Sequence, residues 1–147
     1  MQKAYDYKRL EADVPLIKGH AGAVVDFEFS PFNDSLLATA SEDGTVKLWV
    51  IPDEGLTHDI KDCDAELRGH AKKLILTKFH PVSDYTLASG SADNTVRLWD
   101  VASQKAVVTN EDIKGTITGL EWSANGSLLA SITKDRVLSA FDPRKEG

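Results

Sequence analysis

The side chains in this chain that could do chemistry fall into two sets of the same kind. Each set holds a histidine, a hydroxyl and an aspartate, which are the residue types of a nucleophilic triad. The two sets are His20, Thr39 and Asp43, and His70, Ser89 and Asp93. Because the set occurs twice and each member also has a structural use, we expect no catalytic residue here and no enzyme.

The two sets belong to a duplicated segment. "GHAGAVVDFEFSPFNDSLLATASEDGTVKLWV", from Gly19 to Val50, returns as "GHAKKLILTKFHPVSDYTLASGSADNTVRLWD" fifty positions later. A third and weaker copy reads "GTITGLEWSANGSLLASITKDRVLSAFD" and aligns Ser131, Asp135 and Phe141 with the landmarks of the first two. A constant offset across several landmarks is the sign of a repeat architecture.

Each copy consists of short apolar runs separated by turn residues. "AVVDFEF", "SLLATA" and "TVKLWV" in the first copy are divided by "SPFND" and "SEDG", whose Pro, Asn, Asp and Gly favour turns. Helical spacing of apolar residues is absent, and strands at roughly ten-residue spacing are typical of an all-β fold. The elements that position the two sets are therefore expected to be neighbouring strands and the turns between them.

Composition argues against several classes of function. A net charge of -6 disfavours a nucleic-acid binder, since phosphate binding needs a basic face. No apolar run approaches membrane-spanning length and the first residues do not resemble a secretory signal, so we expect no membrane insertion. The single cysteine, Cys63, fits a reducing compartment. His58 and Cys63 are too few for a zinc site, and no glycine-rich phosphate loop is present, so we expect no metal and no cofactor.

Units that open with GH and close with WD resemble WD repeats, each of which supplies a four-stranded propeller blade. The resemblance implies that each unit provides the outer strand of one blade and three inner strands of the next. We therefore expect an all-β, partial WD-repeat β-propeller with three repeats. Its parts are a leading segment at residues 1–12, repeats at about 13–50, 63–100 and 105–142, and an acidic insertion loop at 52–63.

By the same resemblance, a buried side-chain network holds each of the first two blades together. Its members are His20, Thr39, Asp43 and Trp49 in the first blade, and His70, Ser89, Asp93 and Trp99 in the second. The indole donates to the hydroxyl, the hydroxyl to the imidazole, and the aspartate holds the other imidazole nitrogen. The third repeat has Ile113 and Phe141 in place of the histidine and the tryptophan, so we expect its blade to be the softest.

The chain also resembles a narrower family, the coronins. The resemblance rests on "SPFNDSLLATASEDGTVKLWVIPDEGLT", "RGHAKK", "FHPVSDYTLAS", "WDVASQKAV", "WSANGSLLAS" and "DPRKEG", which follow one another as in coronin blades two to four. It implies a non-catalytic interaction scaffold that binds actin filaments in the cytoplasm and regulates the actin cytoskeleton. The alternative from another class is a general WD-repeat adaptor that presents peptides to an assembly such as a ubiquitin ligase.

In a propeller, the turns that carry the GH pairs and the turn aspartates gather on one face. That face would receive the partner-binding candidates Lys72, Lys73, Lys114, Lys134 and Arg136, diluted by Glu42 and Glu111. We expect it to meet an acidic protein such as actin, steered by electrostatics. The alternative is that these cations are ordinary solvated turn residues.

Three repeats cannot close a ring, because propellers use about four to eight blades. "DVPLIK", at residues 13 to 18, reads as an outer strand, and the third repeat ends without one. We expect head-to-tail pairing, in which residues 13 to 18 of one copy complete the third blade of another and form a homo-oligomer. The competing expectation is a piece of a seven-bladed parent.

Overall fold

The computed structural model describes residues 13–145. The predicted leading segment at 1–12 lies outside the described residues, as do residues 146 and 147. Within the described range the chain forms eleven β-strands in three antiparallel sheets. This part of the chain contains no helix long and apolar enough to cross a bilayer.

The first sheet shows how the repeats are offset from the sheets. Its strands, in spatial order, are β1 Val24–Phe29, β2 Leu36–Ser41, β3 Thr45–Val50 and β4 Ala65–Arg68. β4 comes from the second repeat and pairs antiparallel with β3, with Val46 opposite Leu67. The first sheet is therefore completed by a strand that belongs to the next repeat.

The other two sheets follow the same plan. The second consists of β5 Leu74–Phe79, β6 Thr86–Ser91, β7 Val96–Asp100 and β8 Lys105–Asn110, and β8 comes from the third repeat. The third has β9 Ile117–Trp122, β10 Leu129–Thr133 and β11 Leu138–Phe141, and it has no outer strand among the described residues. The predicted fold class, an all-β partial propeller, is confirmed.

The turn between the second and third strand of each sheet is the same in all three repeats. Gly44, Asn94 and Arg136 occupy equivalent positions and have φ values of 85°, 64° and 67°. Gly and Asn adopt this left-handed backbone conformation readily, whereas Arg is uncommon in it. These turns contain Asp43, Asp93 and Asp135 and place them next to the second and third strands of each sheet.

The apolar core lies between neighbouring sheets. Ala38, Ala40, Val46 and Leu48 of the first sheet are buried in one cluster with residues of the second, which include Phe79, Leu87 and Trp99. A second cluster joins the second sheet to the third through Leu76, Ala88, Val96, Leu98, Ile117, Leu120, Trp122 and Leu129. The three sheets therefore form a row, with the second in the middle.

Residues 13 to 18 differ from the simple outer strand expected of them. Ile17 makes one parallel bridge, to Ile60 in the insertion loop. Lys18 N–H donates to Ile60 O at 2.8 Å, and Ile60 N–H donates to Leu16 O at 2.9 Å. Lys18 Nζ also lies 2.9 Å from Asp59 Oδ2. The segment is thus anchored to the same chain, on the loop that follows β3.

Candidate functional site

The first predicted set forms a continuous hydrogen-bonded network. Trp49 Nε1 on β3 donates to Thr39 Oγ1 on the adjacent β2 at 2.9 Å. Thr39 Oγ1 lies 2.7 Å from His20 Nε2, and His20 Nδ1 lies 2.9 Å from Asp43 Oδ2. With its Nδ1 proton donated to Asp43, His20 accepts the threonine proton at Nε2. One network thus joins two strands, the turn between them and the loop before β1.

The second set repeats this geometry closely. Trp99 Nε1 donates to Ser89 Oγ at 2.8 Å, Ser89 Oγ lies 2.7 Å from His70 Nε2, and His70 Nδ1 lies 2.9 Å from Asp93 Oδ2. The exchange of threonine for serine leaves the hydroxyl in the same place. All eight residues named from the sequence therefore fall into two four-membered groups.

The two aspartates are held as carboxylates by several donors each. Asp43 Oδ1 accepts from Thr45 N–H at 2.9 Å and from Thr45 Oγ1 at 2.6 Å. Burial would raise the pKa of Asp43, but hydrogen bonds from Thr45, His20 and the Ala21 N–H outweigh burial and lower the pKa to about 2. The pKa of Asp93 falls to about 2 for the same reasons. These carboxylates are fixed acceptors near neutral pH.

Burial also sets the protonation of the second histidine. It lowers the pKa of His70, although the hydrogen bond and the charge of Asp93 work in the opposite direction. A neutral imidazole with its proton on Nδ1 satisfies both of its neighbours. His70 is therefore a neutral relay between Ser89 and Asp93.

This arrangement does not suit nucleophilic catalysis. The hydroxyl-bearing residues Thr39 and Ser89 are 5% and 0% exposed, and each hydroxyl accepts an indole N–H. A nucleophile must reach its substrate, and these hydroxyls are buried. No group of three or more possible metal ligands occurs within residues 13–145. The geometry favours a bracing role for both networks.

The third repeat has no such network. Ser131 Oγ is buried without a hydrogen-bond partner among the described residues. Phe141, opposite Leu129 on the neighbouring strand, offers no N–H where the other repeats have an indole. Asp135 is exposed in its turn. One orphaned hydroxyl remains where the other repeats have four linked side chains.

The five candidate cations lie on loops at one end of the strands. Lys72 and Lys73 precede β5, Lys114 precedes β9, and Lys134 and Arg136 occupy the β10–β11 turn. All five are exposed, and within residues 13–145 none of them takes part in an ion pair. The backbone brings two of these loops together, because Lys134 N–H donates to Thr116 O at 2.8 Å. We call these five cations the basic loop face.

Sequence reasoning missed a histidine that links two sheets. His80 Nδ1 accepts from the N–H groups of Val82 and Ser83 at 3.0 and 2.8 Å, and Nε2 donates to Gly126 O at 3.0 Å. The ring packs edge-on against Trp122, with centroids 4.5 Å apart. In the sequence this residue is only part of a turn, "HPVSD". Its glycine partner belongs to another repeat, and no periodicity connects the two.

A row of charges on the inner strands was also missed. Lys78 Nζ on β5 lies 3.8 Å from Glu28 Oε2 on β1 and 3.6 Å from Glu121 Oε2 on β9. Burial raises the pKa of Glu28, with Lys78 opposing the shift. The three residues occupy equivalent positions in the three sheets, so the aligned repeats contain the signal that would have revealed this row.

Comparison with known proteins identifies the class. The family model described as "WD domain, G-beta repeat" matches residues 13–50 and 61–100. These ranges cover the first two repeats and leave out the third, whose network is missing. The chain belongs to the WD-repeat family.

Individual relatives are more specific. Coronin-A of Dictyostelium discoideum is 54% identical over 131 residues, which cover 89% of this chain and 29% of that protein. Coronin-2B of Xenopus tropicalis is 48% identical over 136 residues, 92% of this chain and 28% of that protein. The crystal structure of the WD40 domain from Toxoplasma gondii coronin matches with a TM-score of 0.83 and 38% identity, over 87% of this chain and 33% of that one.

The predicted resemblance to coronins is thereby confirmed. The chain spans less than a third of the length of these two curated relatives. Its repeats are similar to one part of a coronin propeller.

Proposed function

We propose that this chain is a non-catalytic protein-interaction scaffold that binds actin filaments and acts in the cytoplasm, at the actin cytoskeleton. The similarity of its repeats to coronins supports the assignment. The buried, doubly bonded hydroxyls of the two networks support a scaffold rather than an enzyme. The relatives named above are all coronins and lend no support to the general WD-repeat adaptor.

The proposed binding site is the basic loop face. The chain is acidic overall, with a net charge of -6. Its cations Lys72 and Lys73 are nevertheless exposed side by side before β5, and neither forms an ion pair within residues 13–145. An unpaired basic patch on an acidic protein favours an acidic partner and rejects basic ones.

Cosedimentation with filamentous actin tests the proposal. We expect the chain to pellet with filaments, and the variant Lys72→Glu/Lys73→Glu to bind roughly tenfold more weakly, which corresponds to about 1.4 kcal/mol. Binding should also weaken as salt is added, since exposed charges are screened.

The matched control is Lys105→Glu, an exposed lysine at the start of β8 and hence at the opposite end of the strands. It should bind like the unchanged chain. A chain that never pellets with filaments would exclude actin as the partner. Equal binding by the control and the double variant would exclude the basic loop face as the site.

A further inference from the structure

Arg97 on β7 is a partly buried cation without a counter-charge. Its Nε is buried and has no hydrogen-bond partner, and the side chain takes part in no ion pair within residues 13–145. Burial of a charged group is unfavourable unless the group is paired, and native structures contain few unpaired ones. Because Nε is buried, a ligand from outside would have to bind the two terminal nitrogens, Nη1 and Nη2.

The equivalent residue of the first sheet is paired within the chain. Lys47 occupies the same position on β3, and its Nζ donates to Gly19 O at 2.7 Å and lies 3.9 Å from Glu66 Oε1. Glu66 lies opposite Lys47 on the outer strand of the first sheet, whereas Thr109 lies opposite Arg97 in the second. The second sheet therefore keeps the cation but lacks the carboxylate that accompanies it in the first.

Arg97 is held in place between the first and second sheets, not at either end of the row. Residues two apart on a strand point to the same side, so Arg97 shares a side with Trp99, which is buried in the cluster between these two sheets. Gly69 directly follows β4, and a Cβ there would lie 2.7 Å from Arg97 Nη1 and 3.1 Å from Trp99 Cη2. The glycine thus leaves the space that the guanidinium occupies.

Other cations lie close to Gly69 along the chain. Arg68 immediately precedes it and has a side chain that is 71% exposed. Lys72 and Lys73 of the basic loop face follow it and are exposed. We call Arg68, Lys72, Lys73 and Arg97 the Gly69 corner. Its only ion pair within residues 13–145 joins Arg68 to an acid on the same strand, so the other three cations are unpaired there.

We propose that Arg97 binds a carboxylate of the acidic partner that the basic loop face attracts. The proposal rests on the proposed function, which supplies that partner, and it adds a residue that the basic loop face does not include. A guanidinium offers two parallel N–H groups to one carboxylate, which gives the contact a fixed geometry. In the first sheet the carboxylate of Glu66 lies opposite the equivalent cation, so an acidic side chain suits this position.

The Gly69 corner divides the work of recognition between its members. The exposed Lys72 and Lys73 attract an acidic surface at long range. Arg97 is already confined against Gly69, so binding costs it little further loss of side-chain freedom. We therefore expect the lysines to set how fast the partner arrives and Arg97 to set how long it stays.

Filament cosedimentation of two matched variants tests the proposal. Arg97→Met and Lys47→Met each replace a partly buried cation at the same strand position with an apolar chain of similar length. Arg97→Met should weaken binding about tenfold, because a charge-assisted pair is lost. Lys47→Met should bind like the unchanged chain, since Lys47 is already paired. If the unchanged chain pellets and Arg97→Met pellets equally well, Arg97 is not a binding residue, although the proposed function stands.

The same two variants should have the reverse order of stability. Lys47→Met leaves Gly19 O without its donor, so its urea midpoint should fall. Arg97→Met removes an unpaired charge, and an apolar replacement of such a charge is expected to be neutral or stabilising. A midpoint that falls more for Arg97→Met than for Lys47→Met would show a structural role for Arg97 and overturn the proposal.

Nuclear magnetic resonance measures the site without filaments. The Nε–H signal of Arg97 is identified by its absence from Arg97→Met. Tetraglutamate with blocked ends should shift this signal until it saturates, and blocked tetraglutamine should not, because it has no carboxylate. A signal that tetraglutamate leaves unmoved, or that only inorganic phosphate moves, overturns the proposal. If tetraglutamate shifts the signal but the chain never pellets with filaments, actin is excluded and Arg97 keeps its role toward another acidic partner.

Discussion

At the scale of single residues, a buried hydroxyl depends on the donor and the acceptor that flank it. The Ser89 hydroxyl accepts from Trp99 and donates to His70, whereas the Ser131 hydroxyl has no partner within residues 13–145. A buried polar group without a partner costs about 1–3 kcal/mol. The third repeat already carries this cost, and the first two avoid it.

Trp99→Phe should therefore destabilise the chain more than Phe141→Leu. The first change removes the indole N–H and leaves Ser89 short of a donor in a fully buried site. We expect a loss of about 2–4 kcal/mol, which combines the unmet hydrogen bond with lost packing. Phe141→Leu removes only packing at a half-buried position and should cost about 1 kcal/mol. Urea denaturation measures both, and equal losses would contradict a bracing role for the network.

Acid should weaken the fold in two steps. Burial lowers the pKa of His70 below its usual 6.5. As the pH falls, this histidine is therefore protonated in the unfolded chain before it is protonated in the folded chain. This contribution to stability is complete above about pH 6.5 and is lost as the pH falls below it. The pKa values of Asp43 and Asp93 drop from 3.8 to about 2, so their contribution is lost between about pH 4 and 2.

Urea midpoints measured from pH 8 to pH 2 check both steps. His70→Gln should remove the step that begins below about pH 6.5, and it should shrink the acidic step, because the His70 hydrogen bond helps to lower the pKa of Asp93. His58→Gln, at an exposed loop position, serves as the control and should preserve both steps. A midpoint that stays constant from pH 8 to pH 5 would contradict the account of His70.

At the scale of elements, the turns between strands are fitted to side chains from other sheets. Gly126 has a φ of 71°, and a Cβ there would overlap the His80 ring at Cε1. Gly55 has a φ of 85°, and a Cβ there would meet nothing within 4 Å. Alanine would therefore be strained in its backbone at both positions. Only at Gly126 would its Cβ also collide with a neighbouring side chain.

Gly126→Ala should cost clearly more than Gly55→Ala. The left-handed conformation costs alanine about 1–2 kcal/mol at either position. At Gly126 the displaced His80 ring adds the loss of the hydrogen bond to the Gly126 carbonyl and of the contact with Trp122. Thermal unfolding compares the two variants. In a His80→Ala background the difference between them should shrink, and an unchanged difference would mean that the clash has another source.

The insertion loop at 52–63 should be cut first by proteases, and its first half before its second. Glu54 is exposed and belongs to a turn without core contacts, whereas Asp59 and Ile60 hold residues 16 to 18. Loop tips of this kind are preferred sites of nicking. Limited digestion with a glutamate-specific protease should therefore cleave after Glu54. Earlier cleavage at Glu66 or Glu121, which lie on strands, would contradict this order.

At the scale of the whole molecule, the repeat and its resemblance to WD repeats together predicted the fold. The fifty-residue offset revealed the repeat, and the resemblance implied the two networks, whose members Thr39 and Trp49, like their counterparts, lie on paired strands. Contacts outside the repeat were not predictable in this way. The ring of His80 and the bridge from Ile17 to Ile60 join segments with no shared pattern, and a turn or loop has the same sequence whichever neighbour it touches.

The offset between repeats and sheets has a consequence for how the molecule comes apart. Because β4 and β8 are each supplied by the repeat that follows, a break in the loop at Glu54 divides the first sheet and separates no whole sheet from the rest. The two pieces remain associated through the pairing of β3 with β4, so a nicked chain should still sediment as one particle. The same pairing couples the unfolding of neighbouring repeats, so they should unfold together rather than one at a time.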